Sequence, residues 1–157
     1  MKWILIVILV FVIMIIANSV GEQYREKFDF YLNLKNFLQQ FKINISFRQE
    51  KIHDFLNKTK SKKQFNVFIK EYQRFLKTNE LNLEDIKILD IEEKKQLEDI
   101  VKNIGRLDVV NEIEQVESFL IEIEGKLKQA EHDKMKICPM ILKLSLLFAI
   151  GLAIILI

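Results

Sequence analysis

Few side chains in this 157-residue sequence are equipped for covalent or metal chemistry. His53 and His132 each stand alone, with no further ligand types at metal spacing, and read as solvated helix residues. The single cysteine, Cys138, excludes an internal disulfide and a cysteine-based zinc site. It borders an apolar run, where it is either a small inert apolar group or a site for acylation. There is no glycine-rich phosphate loop, no Cys/His cluster and no nucleophile motif. No catalytic residue, cofactor-binding residue or metal ligand is therefore expected, and the chain reads as a non-enzyme. What remains is charge. The run KTKSKK puts Lys58, Lys60, Lys62 and Lys63 in one exposed loop suited to anionic lipid or an acidic partner. Glu92, Glu93, Glu98 and Asp99 form an acidic stretch that is the alternative partner-binding surface. Nucleic acid is not expected, because no aromatic or recognition motif accompanies the lysines.

The charge is divided along the chain. Residues 21–77 hold 13 bases and 6 acids, net +7, and residues 78–136 hold 9 bases and 16 acids, net −7. Such a division points either to a membrane surface or partner, or to two halves that pack together and cancel. With only four glycines and one proline, and an abundance of helix formers, the composition predicts an all-α chain.

Both ends are apolar enough to hold this helical middle in a membrane. Residues 3–17 are 15 uncharged apolar residues, and Val20 extends the uncharged stretch to 18. As a helix that stretch spans about 27 Å, close to the roughly 30 Å of bilayer hydrocarbon, with Trp3 at headgroup level. The rival reading is a cleaved signal peptide, with small residues at Ala17-Asn18-Ser19. The last 14 residues, 144–157, are uncharged, and starting at Ile137 gives 21 with only Lys143 charged. Ser145, Ala149 and Ala153 form a small-residue stripe along which another membrane helix could approach. Two spans put both termini on one side. Arg25, Lys27 and Lys35 follow the first span, and Lys126, Lys128, Lys134 and Lys136 precede the second, against Lys2 alone on the far side. The positive-inside rule then makes the middle cytoplasmic and argues against cleavage. The expected division is residues 1–20, 21–136 and 137–157.

The middle reads as an antiparallel helical bundle. Phe28, Tyr31, Leu32, Leu34, Leu38, Phe41 and Ile45 mark one apolar face, on a helix expected to continue from the first span and to extend over Ile52, Phe55 and Leu56. Phe65, Phe68, Ile69, Tyr72, Phe75 and Leu76 recur at spacings of three and four. Asp90 with Glu93 three residues on makes a capping box before Leu97, Ile100, Val101 and Ile104. Gly105 is expected in the left-handed conformation that closes this helix, and Asp108 caps the next. Val109, Ile113, Val116, Leu120, Ile123, Leu127 and Ala130 then follow a heptad seam, with a kink expected at Pro139.

The joint carries a family resemblance. LEDIVKNIGRLD, with Leu97, Ile100, Ile104, Gly105 and Asp108, resembles the apolar-spaced L-G-x-x-D phrase of the stage III sporulation protein AB family. Ile45-Ser46-Phe47 is similar to the family's isoleucine-x-aromatic position. The order of an N-terminal span, Arg25 in a helix, a Gln/Glu-rich long helix, a Lys-Met-Lys approach and an apolar tail agrees along the whole chain. Three features depart from the family: Glu112 where Gln is usual, Cys138-Pro139 where Leu-Gly is usual, and a longer connection at ELNLEDIKIL. The resemblance implies a helical domain similar to the cytoplasmic domain of type II secretion platform proteins. It implies a place in the channel-like complex between mother cell and forespore, in the mother-cell membrane around the forespore. The implied partners are that complex's cytoplasmic secretion-type ATPase and its other membrane components, with membrane lipid and further copies of the chain beside them. A generic bitopic coiled-coil scaffold of a secretion or division machine shares this topology without those partners.

Overall fold

A computed structural model describes residues 2–48, 51–59, 63–105 and 107–156. Among them the chain is helical: α1 (Lys2–Ile43), a π-helical turn (Asn44–Arg48), α2 (Ile52–Lys58), α3 (Lys63–Thr78), α4 (Ile91–Asn103) and α5 (Val109–Leu156). Lys60 and Lys62 fall outside the described residues.

Two long helices make the frame. α1 carries the first apolar stretch and the start of the middle region as one continuous helix, as expected, and α5 does the same at the other end. They run antiparallel, in a register fixed by three contacts. Cys138 Sγ lies 3.3 Å from the Gly21 carbonyl oxygen, Lys35 pairs with Glu124, and Lys42 pairs with Glu117. Both helices are long and apolar enough to cross a membrane, and only 11% of the most apolar window of each is buried inside the protein. A core helix of that hydropathy would be mostly covered; these are left with an apolar surface that suits lipid. α5 continues through Pro139, so the expected kink does not interrupt it. Proline forfeits one helix donor, but α5 is held along its other side by α1. Of the small-residue stripe, Ala149 is buried, as is Ala17 in α1, and Ser145 is half-buried, while the side chain of Ala153 lies outside the described residues.

The middle region has an aromatic core, and it corrects the expected face of α1. Phe30, Tyr31, Leu34, Phe37, Leu38 and Phe41 are buried, whereas Leu32 is exposed and Phe28 only partly covered. Phe30 and Phe37 join the set because α1 is covered on two sides, by α5 and by α3. Phe30 meets Phe65 edge-on at 5.7 Å between centroids, and Phe37 meets Phe68 at 6.3 Å and Phe55 at 5.4 Å. Each such pair adds about 0.5–1.5 kcal/mol beyond the area it buries. The α3 stripe is buried as expected from Phe65 to Phe75, with Leu76 at the exposed edge.

α2 is a separate helix, not an extension of α1. The π-helical turn at Asn44–Arg48 ends the first helix, and α2 lays Phe55 and Leu56 on the core. Asn79, with φ +58°, closes α3 through its N–H to the Phe75 carbonyl at 2.8 Å. Between α3 and α4 the chain has no regular helix and is pinned by Leu83, Ile86 and Leu89, all buried. On α5 the seam holds where expected at Val116, Ile123 and Ala130, but Val109, its expected first residue, is exposed.

Candidate functional site

The two charged segments named from the sequence sit on different supports. Lys63 opens α3, and its ammonium lies 3.1 Å from Glu26 and 3.5 Å from Glu22. Hydrogen bonding to Glu26 holds its pKa above the ordinary lysine value. Those two acids follow the first apolar stretch by one or two turns, so Lys63 stands at the membrane end of the middle region. Lys58 is exposed in the last turn of α2.

The acidic segment divides in two. Glu92 and Asp99 are exposed on α4, and Glu98 pairs with Lys102 one turn on. Glu98 also borders an open groove of about 660 Å³ shared with Arg74, Glu80, Glu84, Ile91 and Lys95. Glu93, expected on the partner surface, is instead buried and fully engaged. One carboxylate oxygen lies 2.7 Å from the Lys27 ammonium, and the other accepts the Asp90 N–H at 3.0 Å. Asp90 returns the bond by accepting the Glu93 N–H at 2.8 Å, which completes the expected capping box. That N–H, ahead of the Lys27 charge, holds the Asp90 carboxyl below the usual carboxylate range. Tyr31 adjoins the same cluster, and burial, then the Glu93 charge, pushes its phenol well above its ordinary pKa. The capping box and the ion pair make this carboxylate a tie between α1 and α4, not a docking group.

The division of charge has the same outcome. Lys27–Glu93, Lys35–Glu124 and Lys42–Glu117 each join the basic first part to the acidic second part. The last two pairs are seven residues apart on both helices, one on each pair of turns along the antiparallel seam. Each exposed pair adds little, about 0–1 kcal/mol, but together they favour one register. Packing of the two halves thus uses charge that the sequence also allowed for a partner.

The joint between α4 and α5 is built as expected and then reinforced. Gly105 has φ +83°, in the region where a side chain is strained. Ile104 precedes it with its N–H bonded to the Ile100 carbonyl at 3.0 Å. Asp108 caps α5: the Asn111 side chain donates to its carboxylate, which sits below the usual carboxylate range for that reason first. Sequence reasoning missed Glu112. It is buried, and its carboxylate accepts the Gly105 N–H at 2.6 Å and the Leu107 N–H at 3.2 Å. The available signal was an acid in the first turn of α5, next to a tight joint whose backbone N–H groups lack helical acceptors.

Chemically, these arrangements bind and brace. Among the described residues no group of three or more His, Cys, Asp or Glu side chains could hold a metal ion. Cys138 is buried against Gly21, which fits a small inert apolar group better than a site for acylation.

No curated protein and no solved structure matches the chain. The family model described as stage III sporulation protein AB matches residues 2–157, nearly the whole sequence. The chain therefore belongs to the stage III sporulation protein AB family, a structural sporulation family, and a role in stage III of sporulation is implied.

Proposed function

We propose that this chain is a non-catalytic membrane platform of the channel complex between mother cell and forespore, linking a cytoplasmic secretion-type ATPase to the channel through its helical domain. In this reading α1 and α5 cross the mother-cell membrane around the forespore, and the middle region is cytoplasmic, like the corresponding domain of type II secretion platform proteins. The observation that carries the reading is the continuity of α1 and α5. Each passes without a break from an apolar stretch into the packed middle region, so a force applied to that region reaches the spans without a flexible linker. From Gly21 to Ile43 α1 rises about 33 Å at 1.5 Å per residue. That length is comparable to a bilayer crossing, so tilting the domain displaces the far end of each span by a similar distance. The aromatic core and the Lys27–Glu93 tie stiffen the lever. The bases beside the apolar ends support the cytoplasmic side for the middle region.

Topology is the first test. Cys138→Ser with a single cysteine at the exposed Lys95 should be protected from a membrane-impermeant thiol reagent in intact cells and labelled after lysis. Labelling in intact cells would put the middle region outside, beyond reach of a cytoplasmic ATPase. With the cytoplasmic result in hand, the chain in lipid nanodiscs should retain the purified ATPase of the complex in co-sedimentation.

A further inference from the structure

The end of the middle region farthest from the apolar stretches presents uncovered hydrophobic side chains. Between residues 21 and 137, ten large apolar side chains are exposed among the described residues, and five of them, Ile43, Phe47, Leu107, Val109 and Val110, share this end. They come from the last turn of α1, the π-helical turn, the joint and the first turn of α5. The register places them together: Lys42 meets Glu117, and a Cβ on Gly105 would lie 3.6 Å from the Ile52 side chain at the start of α2. Phe47 is 83% exposed and Val110 65%. Neither is loose. Ile45, two residues before Phe47, packs on the core, and Ser46 Oγ donates to the Lys42 carbonyl at 2.9 Å. π-helical turns are rare and concentrate at functional sites. On this turn Ile45 faces the core and Phe47 faces solvent. Glu112 fixes the backbone of the joint that carries Leu107 on the same side.

We infer that this membrane-distal pole is a docking surface for a soluble protein with an apolar face, with Phe47 and Val110 as its anchors. The inference rests on the two-span topology proposed above, and under the coupling reading the docked protein is the ATPase. The position selects the occupant. Lipid is ruled out by distance, because the pole stands more than about 30 Å along α1 from the level of Gly21. Two copies anchored in one bilayer point their poles the same way and cannot cap each other head-on. Nucleic acid needs a basic excess, but Lys42 here is paired with Glu117, and in the sequence of this end Arg48, Lys51 and Arg106 are set against Glu50, Asp108, Glu112 and Glu114. A protein arriving from the aqueous side remains. Aromatic and aliphatic side chains held in place before contact are what a protein hot spot uses.

The test measures binding of the purified ATPase to the full chain in lipid nanodiscs, for wild type, Phe47→Asp, Phe47→Ala and Val110→Asp. The control is Ile121→Asp, at a side chain 74% exposed on the middle of α5. All the substituted positions are uncovered, and circular dichroism melting should confirm unchanged folding. Expected are at least a tenfold loss of affinity for both aspartate variants, an intermediate loss for Phe47→Ala, and wild-type affinity for Ile121→Asp. Affinity should also hardly change between 0.1 and 0.5 M salt. Wild-type affinity in the pole variants, or a steep salt dependence, overturns the pole and moves docking to the charged residues Lys58, Lys63, Glu92 or Asp99 while leaving the coupling reading in place. A fall in oligomer mass in Phe47→Asp with ATPase binding intact would make a second copy the occupant and also overturn it. A wild-type chain that binds no ATPase refutes the coupling reading itself, and this occupant with it.

Discussion

Replacing Gly105 by alanine tests the joint with least disturbance elsewhere. Its φ of +83° costs a residue with a Cβ about 1–2 kcal/mol. Alanine recovers part of this, about 0.4–1 kcal/mol, by restricting the unfolded chain. Space does not add to the cost: the new Cβ would meet only the Ile52 Cδ1, at 3.6 Å, an ordinary contact. The net expectation is a loss of about 1 kcal/mol for Gly105→Ala and about 2 kcal/mol for Gly105→Val, whose β-branch tolerates this region worse. For a helical region of this size, 1 kcal/mol corresponds to roughly 4 °C in Tm. Gly125 is the internal control. It lies within α5, and a methyl group added there would meet no neighbouring side chain within 4 Å. Gly125→Ala should therefore gain about 0.5–1 kcal/mol from helix propensity. Thermal melts of the full chain in detergent, followed by far-ultraviolet circular dichroism, read both. If Gly105→Ala melts at or above the wild-type temperature, the left-handed joint is wrong. If both substitutions move Tm the same way, backbone conformation is not what separates the two glycines.

The other predictions concern the buried charges. Glu112→Ala, which strips the acceptor from two N–H groups, should cost about 2 kcal/mol, and Glu112→Gln about 1 kcal/mol because one oxygen survives; equal and negligible losses in urea titrations would refute the bracing role. Lys27→Met leaves the Glu93 carboxylate buried without its cation and should cost about 2 kcal/mol, below the full loss for a buried pair because Lys27 keeps partial access to solvent; an unchanged urea midpoint would mean that the pair is not a tie. Stability against pH should form a plateau. Tyr31 has a raised pKa when folded, so its contribution is complete below the unfolded value of about 10 and is lost as pH rises above it. Asp90 and Asp108 have lowered values, so theirs is present above the unfolded value of about 3.9 and is lost as pH falls. Tyr31→Phe should flatten the alkaline limb of Tm against pH and leave the acid limb alone; an unaltered alkaline limb would remove Tyr31 from the account.

What could be read from the sequence follows how far the deciding interaction reaches along the chain. Asp90 and Glu93 bond across three residues, and Gly105 closes a helix whose last turn precedes it, so local chemistry was sufficient at both places. Val116, Ile123 and Ala130 were legible because one partner, α1, covers one side of α5. Phe30 and Phe37 were not, because a search for one stripe finds one face and α1 is covered on two. The lysine–glutamate ladder shows the same limit: Lys35, Lys42, Glu117 and Glu124 were counted correctly as charge, but only the register turns Lys35 toward Glu124 and Lys42 toward Glu117. Glu93 is more instructive, since the capping box already committed its carboxylate to the Asp90 N–H. A group that closes a helix end is pinned to that end, and whether it also faces solvent depends on what covers the end. Here α1 does, through Lys27 and Tyr31. The same reasoning runs in reverse at Phe47. Residues two apart on a helical turn face opposite sides, so with Ile45 on the core Phe47 is turned to solvent whatever its type. Charge placed Glu93 outside, and aromatic type alone would favour burying Phe47; at both positions the backbone geometry outweighs the residue type.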